Sequence, residues 1–147
     1  MFINCSNHPS HLWSAGQKEA AEAYGNILDM PFPQVDPSLD QEGIRQLVRA
    51  YAEKIEALKT DAVFLTGEFT FVFMLVDKLL KDGVRVLSAC SRRETTETVR
   101  PDGTIEKNSV FVFERFREYA HYSAQEDEFS SPRRGSGASP VRADHTV

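Results

Sequence analysis

Apolar residues along this chain fall into two alternating patterns. Phe2–Cys5 is a short apolar run, and Asn26–Met30 (NILDM), Asp61–Thr66 (DAVFLT) and Val84–Ala89 are three more, the first three of the four closed by turn-forming residues. Short apolar runs bounded by glycine or proline predict strands. Between them the spacing is helical. Ser14 stands three residues before Gln17, a capping-box pattern, and predicts a helix from Ala15 to Tyr24 with Gly25 as its left-handed stop. Ser38 with Gln41 repeats the pattern ahead of Ile44, Leu47, Val48, Tyr51, Ile55 and Leu58, which share one helical face. The run from Phe69 to Leu80 contains phenylalanines that suit a strand. Its length of about three turns and its end at Lys81-Asp82-Gly83 favour a buried helix. Pro101-Asp102-Gly103 then turns ETTETV back upon TIEKNSVFVF as a hairpin.

Strand and helix therefore alternate three times before a fourth strand and the hairpin. This order predicts an α/β fold, a small Rossmann-like or flavodoxin-like open parallel sheet with helices on both faces and a C-terminal β-hairpin. The expected strand order is 2-1-3-4. No internal repeat interrupts it.

The chain has 147 residues, the size of one domain, and its composition shifts after Tyr119. Residues 1–119 are expected to form the ligand-binding domain. Residues 120–147 hold five serines, two prolines and two glycines with almost no aliphatic side chains, and are expected to be a disordered tail. Three of the 17 basic and four of the 22 acidic residues lie in that tail, so neither part is extreme. Within it, Arg133 and Arg134 are the candidates for contact with a partner, but an inert extension is the favoured reading. A formal charge of -5 argues against a basic surface for long nucleic acid. The most apolar run, Phe69–Val76, falls far short of the ~20 residues that span a bilayer, and Asn4, Ser6, Asn7 and His8 break the N-terminal stretch. The expectation is a cytoplasmic protein with no membrane contact. Two cysteines, Cys5 and Cys90, are too few for a disulfide framework and are read as reduced. Phe71, Phe73, Phe111, Phe113 and Phe116, added to the aliphatic core, exceed what so small a domain hides, which predicts a homodimer.

Open parallel sheets bind ligands beyond the carboxyl ends of their strands, where the strand order reverses. For a 2-1-3-4 order that point lies between the first and third strands. The residues there are Cys5, Ser6, Asn7, His8, Pro9, Ser10 and His11 on one side and Thr66, Gly67, Glu68 and Thr70 on the other. Both sets are small, polar and placed before a helix, whose free amides favour an anion such as phosphate. Ordinary loops and caps have the same composition, so it is the convergence of two such loops that marks a site. Glu68 either repels phosphate or caps the third helix, and the cap is favoured. Arg92 and Arg93 follow the fourth strand and are expected on the same edge, as phosphate ligands or as a solvated pair. No G-x-G-x-x-G and no P-loop is present. His8 and His11 flank Pro9 with no further ligand pattern, so no metal and no cofactor is expected. Cys5, at the end of a buried strand, is read as an inert thiol.

With SNHPS after the first strand and TGEFTF after the third, the chain resembles the small ancillary proteins of type III CRISPR systems. Their Rossmann-like (CARF-like) domains bind cyclic oligoadenylates. The resemblance covers about residues 2–119, including FVFERFREY; relatives commonly carry a second glycine and a lysine where this chain has Glu68 and Phe69. It implies a homodimer with the cyclic ligand, most simply cyclic tetra-adenylate, across the twofold axis, and a role in damping the defence signal by sequestration or slow metal-independent ring cleavage. A ring nuclease of this kind positions a ribose 2'-hydroxyl in line with the adjacent phosphate. His8 or His11 would then be the general acid or base, and Arg92 with backbone amides would stabilise developing charge. Binding with little turnover is the favoured version. The alternatives are a non-catalytic protein-interaction domain of a CRISPR locus and a glycosyl-nucleotide hydrolase or transferase, the last weakened by the lack of a loop carboxylate other than Glu68.

Overall fold

The computed structural model describes residues 1–123. Strands β1 (Phe2–Cys5), β2 (Ile27–Asp29) and β3 (Ala62–Leu65) alternate with helices α1 (Ala15–Glu22), α2 (Gln41–Ala57) and α3 (Phe69–Lys81). Two long strands follow, β4 (Val86–Val99) and β5 (Ile105–Glu118). The sheet order is β2-β1-β3-β4-β5. The first four strands are parallel and β5 is antiparallel to β4. This is the expected α/β architecture, with the order reversing between β1 and β3.

Every residue of β1 and β3 is buried, which is why FINC and AVFL are near-continuous apolar runs rather than alternating ones. Alternate side chains serve opposite faces. Ile3, Cys5, Val63, Leu65 and Val86 pack against α2 and α3 through Ile44, Val48, Ile55, Phe71, Leu75 and Leu79. Phe2, Phe64 and Leu87 face the other way, onto Trp13 and Ala21 at α1, where Phe116 of β5 completes the layer. Phe71 and Phe116 are thus core residues, so the expected surplus of large apolar side chains is smaller than composition implies. Burial of each such side chain contributes ~1.5–3 kcal/mol.

Local signals set most boundaries. Ser14 accepts from the Gln17 amide at 3.2 Å, as its spacing predicts. Gly25 and Gly83, past the ends of α1 and α3, have φ of 131° and 78°, a region costly for side chains with a Cβ. The cap of α2 differs from expectation. Asp36 accepts the Ser38 amide at 2.8 Å and folds the chain into a turn there, so the helix starts later and Asp40 accepts from the Gly43 amide at 2.8 Å.

The fourth strand and the hairpin arm are one element, not two. The ladder runs from Leu87↔Glu118 to Val99↔Ile105 with a single register shift at Cys90/Ser91. Nothing in CSRRETTETV breaks a strand, and β5 pairs with both halves. Arg92 and Arg93 therefore lie inside a two-stranded arm, on opposite faces of it, instead of in a loop at the carboxyl edge. Of the expected tail, residues 120–123 follow β5 without regular structure and the remainder lies outside the described residues.

The cap assignment gives a direct expectation. Asp40→Ala should destabilise the protein by about 1 kcal/mol, whereas Ser38→Ala should change it by less than about 0.5 kcal/mol, as read from urea midpoints.

Candidate functional site

The SNHPS loop after β1 is held from beneath by a buried amide. Asn4, 1% exposed in the middle of an apolar strand, donates from Nδ2 to Asp29 Oδ1 at 2.8 Å and to the His8 carbonyl at 3.0 Å. Its Oδ1 accepts from Ser6 Oγ at 2.7 Å, and Ser6 Oγ accepts from the His8 amide at 3.1 Å. Trp13 Nε1 donates to the same His8 carbonyl at 3.0 Å. Asp29, at the end of β2, also takes the Ser10 amide at 3.2 Å and Ser10 Oγ at 3.1 Å. Ser6 and Ser10 are thus committed to the loop's own bonds, while the Asn7 and His8 residues are exposed.

The loop after β3 is shaped by two other contacts. Glu68 caps α3, its carboxylate accepting from the Thr70 and Phe71 amides at 3.1 and 2.8 Å and from Thr70 Oγ1 at 2.7 Å. These bonds, that from Phe71 foremost, hold its pKa below the ordinary 4.5. A carboxylate of the chain itself therefore fills the amide site that was a candidate for phosphate. Gly67 lies under the ring of Phe32, and a Cβ there would stand 2.2 Å from the ring's Cζ. Phe32 in turn meets Phe71 edge-on at 5.3 Å, and Tyr51, packed on Phe71 at 5.6 Å, donates its hydroxyl to the Pro31 carbonyl at 3.1 Å. The glycine makes room for the β2–α2 segment, which becomes a third wall of the site. Thr66 is exposed beside it.

These three loops frame a crevice of about 820 Å3 lined by Asn7, Glu68 and residues 32–37. Asp36 in that lining has its pKa lowered, mainly by the Ser38 amide, so two ionised carboxylates stand at the rim. No arginine, lysine or histidine lines it. His11 and Ser10 instead border a separate hollow of about 410 Å3 with Lys18, and Thr70 borders a groove beside Phe73. Arg92 pairs with Glu114 across the arm, which raises its pKa, and Arg93 lies on the arm's other face. Burial pushes the Cys5 thiol up to about 12, so it stays protonated. Among the described residues no group of three or more His, Cys, Asp or Glu is placed to hold a metal, and no helix is long and apolar enough to cross a membrane.

The expected residues thus separate. Asn7 and Glu68 meet in the crevice, with Gly67 behind it; Ser6 and Ser10 shape the loop; Thr70, His11 and the two arginines lie elsewhere. Asn4, Asp29, Phe32 and Asp36 were not among the expected residues. A polar side chain inside FINC signals Asn4, because a buried amide must find partners, but those partners lie as far as 25 residues away.

Two outcomes follow. Gly67→Ala should cost ~1–3 kcal/mol, and the penalty should largely vanish in a Phe32→Ala background, a coupling that a double-mutant cycle in urea reads directly. Because the folded-state pKa of Glu68 is depressed, its contribution is present above the ordinary glutamate range and is lost as pH falls through the lowered value. Acidification from neutral pH should therefore lower the melting temperature of the parent more than that of Glu68→Gln; equal acid sensitivity would contradict the cap.

No curated protein matches the chain. A family model does, that of the uncharacterized protein MJ1673 family, over residues 1–117. That span takes in the whole sheet but the last residue of β5, with all three helices, and the chain belongs to this family.

Proposed function

We propose that this protein is a nucleotide-binding domain that captures a cyclic oligoadenylate, most simply cyclic tetra-adenylate, at the β1/β3 switch point and so damps a type III CRISPR signal by sequestration. The observation that carries the reading is the crevice of about 820 Å3 where the strand order reverses, framed by three loops that are tied down by the protein's own hydrogen bonds. Such preformed concave sites suit small ligands. The chemistry of the rim says how the ligand would lie. Asp36 and Glu68 are acceptors that repel phosphate, and they match the donors an adenylate carries, the adenine amino group and the ribose hydroxyls. The phosphates would then face outward, past Asn7 and His8.

Capture is favoured over cleavage by the same geometry. His8 and His11 are both exposed and neither imidazole takes part in the hydrogen bonds of the described residues. His11 borders a different hollow. A general acid or base needs to be held within reach of the reacting atoms, and among the described residues neither histidine is so held. The second reading, a non-catalytic protein-interaction domain, is favoured by a different observation: Phe69, Phe73 and Phe111 stand 87%, 79% and 75% exposed.

Calorimetric titration with cyclic tetra-adenylate separates the two. Binding with no linear product is expected, and Asn7→Ala should weaken it by ~1–3 kcal/mol. Arg92→Ala, on the arm, should leave affinity within about twofold and the salt dependence shallow. If the ligand neither binds at micromolar protein nor raises the melting temperature, the nucleotide reading fails and the interaction reading takes its place.

A further inference from the structure

Where the end of α1 meets β5, the surface holds a hollow of about 640 Å3 that shares no lining residue with the crevice. On the α1 side its wall is made by Ala20 and Ala23, whose side chains stop at Cβ and so leave the space open. The rings of Tyr24 and Phe116 supply apolar surface beside them. The charged residues of the lining are Arg85, Arg115 and Glu114. Two guanidiniums, aromatic rings and small side chains in one concavity are the makings of a site for an anion on a small organic body.

The two arginines are anchored in a way that leaves their forks free. Arg115 donates from Nε to the Phe116 carbonyl at 3.3 Å. Arg85 turns its Nε to Glu118 Oε1 at 3.0 Å, and its guanidinium carbon stands 5.7 Å from the centre of the Tyr24 ring, a cation–π contact that helps to hold it. The terminal nitrogens of both take part in no hydrogen bond among the described residues. Other arginines of the β4–β5 ribbon are used up: Arg100 engages Glu106 through Nε and a terminal nitrogen, and Arg92 engages Glu114 through a terminal nitrogen. A guanidinium held by its Nε, with terminal N–H groups to spare, matches the oxygens of a phosphate. The charge balance agrees. With the pairing partners counted, Arg85, Arg92 and Arg115 stand against Glu114 and Glu118, so the surroundings of the hollow are positive on a chain that is acidic as a whole.

We infer that the hollow between α1 and β5 binds a phosphate group, free or as the monoester end of a small molecule, with Arg85 and Arg115 as its ligands. A volume of about 640 Å3 is in the range of sites that hold small organic ligands, so a monoester has room for its organic part over Ala20 and Ala23. The inference does not depend on what the crevice binds, because the two sites have separate linings.

Phosphorus-31 NMR on the full chain at low salt, titrated with inorganic phosphate and separately with adenosine monophosphate, reads both sources. Saturable line broadening is expected in at least one series. Tighter binding of the nucleotide would assign the site to monoesters, and binding of phosphate alone would assign it to the free ion. Arg85→Gln and Arg115→Gln should each weaken binding by about 10-fold or more. Glu114→Gln should tighten it by about twofold or more, since it removes a carboxylate from the lining and releases Arg92, and a gain of this kind cannot come from a poorly folded variant. Arg100→Gln, outside the lining, should leave affinity within about twofold. No saturable change in either series, binding indifferent to both arginine substitutions, or a Glu114→Gln variant that binds no tighter would each overturn the inference. Binding lost in Asn7→Ala would place the phosphate in the crevice instead, and would overturn it too.

Discussion

The carboxyl edge of the sheet depends on one buried amide. Asn4 sits in β1 shielded from bulk solvent, and its two ends take bonds that tie β1 to Asp29 of β2 and to the loop at Ser6 and His8. An unpaired amide there would cost ~1–3 kcal/mol for its own desolvation, and its partners would be left short as well. The network explains how β2, with three residues and little burial, keeps a fixed position. It also ties the SNHPS loop to the sheet: the His8 carbonyl is held from two sides, by Asn4 and by Trp13.

The same economy of internal bonds sets the chemistry of the crevice. An α/β sheet with a helix starting after each strand offers free amides at the switch point, and such amides ordinarily invite an anion. In this chain the offer is withdrawn at α3, because Glu68 satisfies the amides internally and stays ionised while doing so. One loop away, Asp36 accepts the Ser38 amide in the turn before α2, which lowers its pKa. The crevice is left with two carboxylate acceptors at its rim, beside Phe32 and Val35.

Away from the crevice, the molecule has two uncovered features with different physical character. The β4–β5 arm is a two-stranded ribbon, a structure that is marginal by itself. Cross-strand pairs support it, Lys107 with Glu97 at 3.0 Å, Arg100 with Glu106 at 2.9 Å and Thr95 with Ser109 at 3.1 Å, and charges along its edges discourage uncontrolled strand addition. The outer face of α3 has no such protection at its centre, where two phenyl rings stand free. Charged and polar pairing suffices for a ribbon in water, whereas an aromatic ridge lowers its free energy by being covered.

The sequence by itself determined the elements and their order. Periodicity places β1, β3, α2 and α3, the Ser14 cap and the glycines after α1 and α3 mark ends, and alternation alone requires a parallel sheet, because each of these signals acts within a few residues of its origin. It also placed Glu68 correctly as a cap, since the cap and its amides are neighbours. Only the tertiary structure decided what the loops do. Gly67 faces Phe32 rather than a ligand, Asn4 serves Asp29 across 25 residues, Ser38 yields its capping role to Asp40, and the two arginines are carried off on an arm because β5 pairs with the whole of β4. Each of those outcomes turns on contacts between segments far apart in the chain, and the free energy of such contacts exists only once packing has brought the segments together.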